Sequence, residues 1–156
     1  MRSVAILALI ALGCHAGSGV VEPPRAAPVG DGAIKGAIEQ WRQAYEVRSL
    51  DTLGKSYVRD ASLIVVQEGQ ALIGWPAVEA LLKEQLPKAT AIRVRLKDVQ
   101  IQLLVPDVAV VIATMTREST QGAATATEAG TLTLVFHHTA DGWLIAVEHF
   151  SYKAGA

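Results

Sequence analysis

Residues 37–65 read AIEQWRQAYEVRSLDTLGKSYVRDASLIV, and this stretch decides the fold because its hydrophobic period changes along it. Apolar residues first recur every three or four positions and then, from position 61, follow one another in a β-branched run. The first pattern predicts an amphipathic helix that begins with Asp31 as its N-cap. The second predicts a strand over residues 61–67, with a short helix over residues 50–57, weakened by Gly54, between the two.

The rest of the chain predicts one more helix and several strands. A returning strand over residues 70–73 precedes a helix that starts near Pro76 and ends near Gln85. Four further strands are predicted at residues 92–104, 108–118, 130–138 and 143–152. Residues 119–127 (STQGAATAT) are predicted to form a loop. The sequence therefore predicts a single α+β domain over residues 31–152, with a tail at residues 153–156.

The N-terminus is typical of an export signal. Arg2 precedes an apolar run of ten residues, Val4 to Gly13, which is half of what a membrane-spanning helix needs (about 20 residues). Residues 11–14 (ALGC) resemble the lipobox of bacterial lipoproteins, in which the cysteine becomes the lipid-bearing first residue. We therefore expect a signal peptide at residues 1–13, and a lipidated Cys14 with a Gly-, Ala- and Pro-rich tether over residues 14–30. A plain signal peptide, with Cys14 unmodified, is the alternative.

Composition and spacing exclude several classes of site. Fourteen basic residues against fifteen acidic ones leave a net charge of −1, so no global positive field is available for nucleic acid. The single cysteine excludes an intrachain disulfide and a cysteine-based metal site. His137 and His138 are adjacent in a predicted strand and would point to opposite faces, so they cannot chelate one ion together. We predict no cofactor and no metal.

The two ends of the predicted domain resemble a known family. The order of elements, the stretch at residues 37–65 and the sequence DGWLIAVEHFSYK at residues 141–153 resemble nuclear-transport-factor-2-like domains, also called SnoaL-like or ketosteroid-isomerase-like. The matching positions are Asp51, Tyr57, Asp60, Ala61, Gly142, Trp143, Ile145, His149 and Ser151. The resemblance implies a cone-shaped, strongly curved antiparallel sheet wrapped around three helices. Its members include isomerases, dehydratases, polyketide cyclases, epoxide hydrolases and domains without known chemistry, so the fold alone does not define an activity.

An enzyme of this shape would need an acid or a base inside the cone. The aspartates do not supply one, because Asp98 lies in a polar stretch, and Asp107 and Asp141 lie at turns. His149 is the candidate catalytic residue, because strict alternation places it on the same strand face as Trp143 and residues 145, 147 and 151. A ligand contact and a structural histidine are the alternatives.

Other side chains are candidates for the wall of a pocket. The aromatic candidates are Trp41, Tyr45 and Tyr57, which combine an apolar body with a polar tip; ordinary core packing is the alternative that residue statistics favour. Arg117 shares a strand face with Met115 and could bind an anionic group or extend to solvent. Ser151 completes the candidate pocket set.

Two predicted strands are apolar on both faces, at residues 108–113 and 132–136. Three helices can cover only one side of a sheet, so the second face needs a partner, and a homodimer is the simplest one. A tightly curled sheet is the alternative.

Together these features favour an exported, lipid-anchored domain of the bacterial cell envelope that binds a small apolar ligand or a protein, with the lipid as its only membrane contact. An isomerase, dehydratase or cyclase that uses His149 as base and Tyr45 or Tyr57 as donor is the alternative. A purely structural dimerisation domain is a third possibility.

Overall fold

The computed structural model describes residues 30–152, although not the side chain of Tyr152. The predicted signal peptide, the tail, and the lipidated cysteine and tether as far as residue 29 lie outside the described residues. Among the residues described, no helix is long and apolar enough to cross a membrane.

Three helices precede or interrupt the strands. The first, α1 (Asp31–Glu46), carries its buried residues on one stripe, as its periodicity predicts. Asp31 is the first helical residue rather than the N-cap. At this position its negative charge interacts favourably with the positive end of the helix dipole. The second helix, α2 (Leu50–Gly54), has Ser49 as its N-cap, and the Ser49 hydroxyl accepts a hydrogen bond from the Thr52 amide. The third, α3 (Trp75–Gln85), has Pro76 in its first turn and continues into a short 3-10 turn, Leu86–Lys88.

Six strands form one curved sheet that does not close on itself. The strands are β1 (Ile64–Gln67), β2 (Gln70–Ile73), β3 (Ala91–Val105), β4 (Val108–Gln121), β5 (Ala124–Thr139) and β6 (Gly142–Tyr152). Their spatial order is β2-β1-β6-β5-β4-β3, and every neighbouring pair is antiparallel except β1 and β6. This arrangement confirms the predicted α+β cone of a sheet around three helices.

The predicted second helix and the predicted loop at residues 119–127 are both wrong in extent. The helix ends at Gly54 because residues 56–58 pair with β6: the Val58 amide donates to the Ile145 carbonyl, and the Ile145 amide to the Ser56 carbonyl. The predicted loop is a tight hairpin at Gly122, which has a φ of +60°. β-branched threonines extend both strands up to that turn, and Thr120 and Thr125 form a cross-strand hydrogen bond.

The inner face of the sheet and the helices enclose the hydrophobic core. Its largest fully buried side chains include Trp41 and Tyr57 from the helical half, and Phe136, Leu134 and Ile145 from the sheet. The helices leave the other face of the sheet uncovered within the described chain. An apolar row crosses five strands on that outer face, and it consists of Ile73, Ile64, Val147, Val135 and Val110. We call this row the outer belt; Ile112 lies beside it with 48% of its surface exposed.

Candidate functional site

Glu148 is the only charged residue that is buried within the described chain, with 4% of its surface exposed. Burial of a carboxyl group is costly unless the group is hydrogen-bonded or neutral. Its environment therefore identifies the part of the core that packing alone does not explain.

A β-bulge in β6 turns Glu148 into the core. Val135 of β5 pairs with Val147, whereas the next residue, Phe136, pairs with Ile145, so Ala146 is an extra residue. An extra residue reverses the alternation of side chains along the strand. Trp143 and Ile145 are therefore buried before the bulge, and Glu148 and Phe150 are buried after it.

The same bulge overturns the predicted shared face of Trp143, Ile145, Val147, His149 and Ser151. His149 and Ser151 are exposed on the outer face, and the Ser151 hydroxyl donates to the Thr131 carbonyl at 3.4 Å. The structure thus places the candidate base on the opposite side of the sheet from the cone interior.

Three aromatic side chains surround the Glu148 carboxyl group, and with it they form what we call the Glu148 cluster: Trp41, Tyr45, Tyr57 and Glu148. The Tyr57 hydroxyl donates to Glu148 Oε2 at 2.5 Å. The Trp41 indole N–H lies 2.9 Å from the Tyr57 oxygen and 3.3 Å from Glu148 Oε2, and so donates to both. The Tyr45 hydroxyl lies 3.5 Å from that of Tyr57. The cluster is a connected polar network within an apolar core.

Local structure explains why these four residues meet. Trp41 and Tyr45 are one helical turn apart on α1, and their rings pack edge to face with centroids 5.2 Å apart. Tyr57 lies in the segment that pairs with β6, where it bridges Ile145. Helix α1 thus positions Trp41 and Tyr45, strand pairing positions Tyr57, and the bulge positions Glu148.

Burial controls the protonation of the cluster. Desolvation raises the pKa of Glu148 above its ordinary value, although the hydrogen bonds from Tyr57 and Trp41 and the nearby charge of Arg117 act in the opposite direction. Desolvation and the neighbouring Glu148 raise the pKa of Tyr57 well above its ordinary value. Tyr57 therefore keeps its proton, and Glu148 holds its proton to a higher pH than an exposed glutamate.

A pocket of about 540 Å³ begins where the cluster ends. We call it the Arg117 pocket. It lies between the end of α3, the 3-10 turn and the hairpin of β4 and β5, and its lining includes the aromatic ring of Tyr45 and the cations Arg117 and Lys88. Its apolar lining consists of Leu82, Leu86, Ala89, Ile92, Ala124 and Ala126. The remaining lining residues are polar or acidic: Glu84, Gln85, Ser119, Gln121 and Glu128.

Arg117 lines the pocket and acts electrostatically on the Glu148 cluster. Its Nε donates to Glu128 Oε2 at 2.7 Å in a partly buried ion pair, and its guanidinium lies 5.8 Å from the centre of the Phe150 ring. Its charge also acts on Glu148. The guanidinium therefore presents a hydrogen-bond donor at a pocket wall while its charge is balanced by a neighbouring carboxylate.

Of the predicted pocket residues, the structure brings four together: Trp41, Tyr45, Tyr57 and Arg117. Only Tyr45 and Arg117 line the pocket itself, because Trp41 and Tyr57 are buried behind Tyr45. Met115 is a fully buried core residue. Within residues 30–152, no group of three or more His, Cys, Asp or Glu side chains could hold a metal ion.

The sequence-based prediction missed Glu148 and Glu128. The signal for Glu148 was an acidic residue within an apolar run, LIAVEHF at residues 144–150. Glu128 lies in the stretch between the predicted loop and the next predicted strand, and its pairing with Arg117 follows from the hairpin register that aligns the two residues.

Residues 34–155 match the SnoaL-like domain family, and no curated protein matches the chain. A solved structure from Streptomyces avermitilis, described as a candidate dehydratase of the NTF2-like family, superposes with a TM-score of 0.75 at 21% identity and covers 83% of this chain and 100% of its own.

Two further structures show the same fold. A candidate scytalone dehydratase from Novosphingobium aromaticivorans has a TM-score of 0.71 at 11% identity, over 78% of this chain and 83% of its own. A candidate calcium/calmodulin-dependent protein kinase type II association domain from Thiobacillus denitrificans has a TM-score of 0.63 at 27% identity, over 76% of this chain and 94% of its own. With a family match that spans most of the described domain and a cone fold shared with these neighbours, the chain belongs to the SnoaL-like domain family.

Proposed function

We propose that this SnoaL-like domain binds a small, largely apolar molecule that carries one oxygen acceptor, and that the ligand occupies the Arg117 pocket. The observation that carries the proposal is the pocket wall, where six apolar side chains and the ring of Tyr45 lie beside Arg117 and other polar side chains. Its volume lies within the range of about 300–1,000 Å³ typical of small-molecule sites. The apolar part of the lining supplies binding energy, and Tyr45 and Arg117, among the polar groups, fix the orientation of the ligand.

Acid–base catalysis is a second candidate function. The carboxyl group of Glu148 reaches the pocket through two hydroxyl groups, because Tyr57 lies 2.5 Å from Glu148 Oε2 and 3.5 Å from the Tyr45 hydroxyl. Burial keeps this carboxyl group protonated to a higher pH than an exposed glutamate, and a proton retained in this way suits a general acid. Structural neighbours described as candidate dehydratases support this reading. His149 takes no part in it, because the histidine lies on the outer face.

We further propose that a second copy of the chain covers the outer belt. The belt is continuous across five strands, and antiparallel sheets normally leave a polar face to water. The neighbour described as an association domain supports an assembly role for this fold.

Export and lipid anchoring at Cys14 remain our proposal for the location of the domain. They are supported by the apolar run that ends at Gly13 and by the ALGC sequence at residues 11–14. Several acyl chains would hold the domain firmly at the cell envelope, since each buried methylene contributes about 0.8 kcal/mol.

The Arg117 pocket can be tested with 1-anilinonaphthalene-8-sulfonate, a probe with apolar rings and one anionic group. We expect Arg117→Met to weaken its binding about tenfold or more, because a charge-assisted hydrogen bond is lost. Glu128→Gln should strengthen binding, because it removes the carboxylate that competes for Arg117. Fluorescence titration measures both. If the two variants weaken binding alike, the effect is structural and the proposed site is wrong.

The raised pKa of Glu148 predicts a pH dependence of stability. The folded state favours the protonated carboxyl group, so its contribution is fully present below the ordinary glutamate pKa and is lost as the pH rises through the raised folded value. Glu148→Gln should remove this loss, which for one proton is at most about 1.4 kcal/mol per pH unit. Urea unfolding between pH 4 and 9 measures it, with the exposed Glu68→Gln as control. Parallel pH profiles for wild type and Glu148→Gln would contradict the assignment.

The dimer proposal predicts that Ile112→Glu produces monomers, because it places a charge beside the outer belt at a position that an isolated chain leaves half exposed. Val47→Glu, at an apolar residue at the end of α1 that is more exposed than Ile112 (64% against 48%), should leave the dimer intact. Sedimentation equilibrium distinguishes the two. A monomeric wild-type protein at all concentrations would refute the proposal.

Lipid anchoring predicts that the chain expressed in a bacterium incorporates labelled palmitate and partitions into detergent. Cys14→Ser should abolish both, since the thiol is the acceptor. Incorporation that persists in Cys14→Ser would rule out the anchor.

A further inference from the structure

A second concave surface lies at the other end of α1. It has a volume of about 530 Å³ and lies between the first turns of α1, residues 55–56 and the hairpin that joins β5 to β6. We call it the hairpin groove. Its lining residues are Ala33, Gly36, Ala37, Gln40, Lys55, Ser56, His138, Asp141, Gly142, Trp143 and Leu144. None of them lines the Arg117 pocket, so the two sites are separate.

Small residues on α1 keep the groove open. Ala33, Gly36 and Ala37 face it, and a Cβ atom added at Gly36 would have no neighbour within 4 Å. Glycine in the interior of a helix destabilises it relative to alanine, so local stability does not account for Gly36. The space above it is large enough for a ring.

Trp143 supplies an aromatic wall and an unsatisfied donor. Only 6% of its surface is exposed, and its indole packs against the ring of His138 with centroids 4.9 Å apart. Its Nε1 is the one buried side-chain nitrogen or oxygen of the described residues without a hydrogen-bond partner. The indole of Trp41, in contrast, donates to two oxygens. A buried N–H group without an acceptor costs free energy, so a ligand oxygen that reaches it is favoured.

The groove also contains one cation, Lys55, and one carboxylate, Asp141 of the hairpin. Lys55 is exposed at its rim, and within the described chain its ammonium group forms no ion pair. Ser56 and Gln40 add further donors to the same wall. Aromatic surface, an unpaired N–H donor and a lysine are together complementary to a flat ring that carries a carboxylate.

We propose that the hairpin groove is a second binding site, for small aromatic carboxylates, in which the ring packs against Trp143 and His138 and the carboxylate accepts hydrogen bonds from Trp143 Nε1 and Lys55. His138 is exposed at the rim, and exposed side chains change rotamer rapidly, so its ring can adjust to a ligand beside the indole. This site does not depend on what occupies the Arg117 pocket.

Titration of the full chain with benzoate, followed by the indole N–H signals in ¹H–¹⁵N NMR spectra, tests the proposal. The signal of Trp143, assigned through its loss in Trp143→Phe, should move to lower field as the N–H gains an acceptor. The signal of Trp41 should stay in place, because that donor is already satisfied in the core. Absence of a Trp143 shift at saturating benzoate would overturn the proposal.

Two substitutions with matched controls locate the bound probe. Gly36→Leu places a larger side chain where an added Cβ atom meets nothing within 4 Å, and leucine is a better helix former than glycine, so the variant should abolish the Trp143 shift while the protein stays folded. Lys55→Met should weaken binding roughly two- to fivefold, as expected for an exposed ion pair, whereas Lys83→Met on α3 should not. Arg117→Met should also leave the shift unchanged. Unaltered binding in Gly36→Leu, or equal loss in both lysine variants, would place benzoate elsewhere.

Discussion

The hydrogen bond from the Tyr57 hydroxyl to the Glu148 carboxyl group is the interaction on which the interior of this domain depends. It joins the segment after α2 to β6, and the Trp41 indole adds α1 to the same oxygen. A buried carboxyl group tolerates such a position only when its partners are in place, because removal of one partner leaves it desolvated without compensation. The helices and the sheet are therefore held in one relative position by a polar contact, while the surrounding apolar residues supply most of the burial energy.

That contact exists because of a single extra residue. If Ala146 paired regularly instead of forming a bulge, strict alternation would put Glu148 on the outer face and His149 in the core. Bulges commonly redirect side chains beside functional sites. Here the bulge determines that Glu148, and not His149, lies in the interior. An acid with a raised pKa, hydrogen-bonded to Tyr57 and separated by it from Tyr45 at the pocket wall, therefore occupies the interior position in place of an imidazole.

The sequence predicts those parts of the fold whose side chains repeat with one period. The stripe on α1 is regular from Ile34 to Tyr45, so its buried face follows from spacing alone. The buried face of the last strand does not follow from spacing, because the aliphatic run at residues 144–147 is compatible with a strand with or without a bulge. Tyr57 illustrates a similar limit. Its spacing from Leu50 and Leu53 is compatible with a helix, but in the structure it pairs with Ile145 and lies outside α2. Register and bulges are set by contacts between strands, which a single sequence does not display.

The reversal of faces also changes the surroundings of His149 and therefore the role it can have. On the outer face it pairs with Thr133 on one side and Val66 on the other, one row away from the outer belt and in line with Ile112. A histidine in such a row belongs to the surface that our proposed second copy covers. It is therefore placed to affect association of the chain rather than the ligand pocket. The bulge thus separates two neighbouring residues of one strand, with the acid directed to the interior and the imidazole to the outer face.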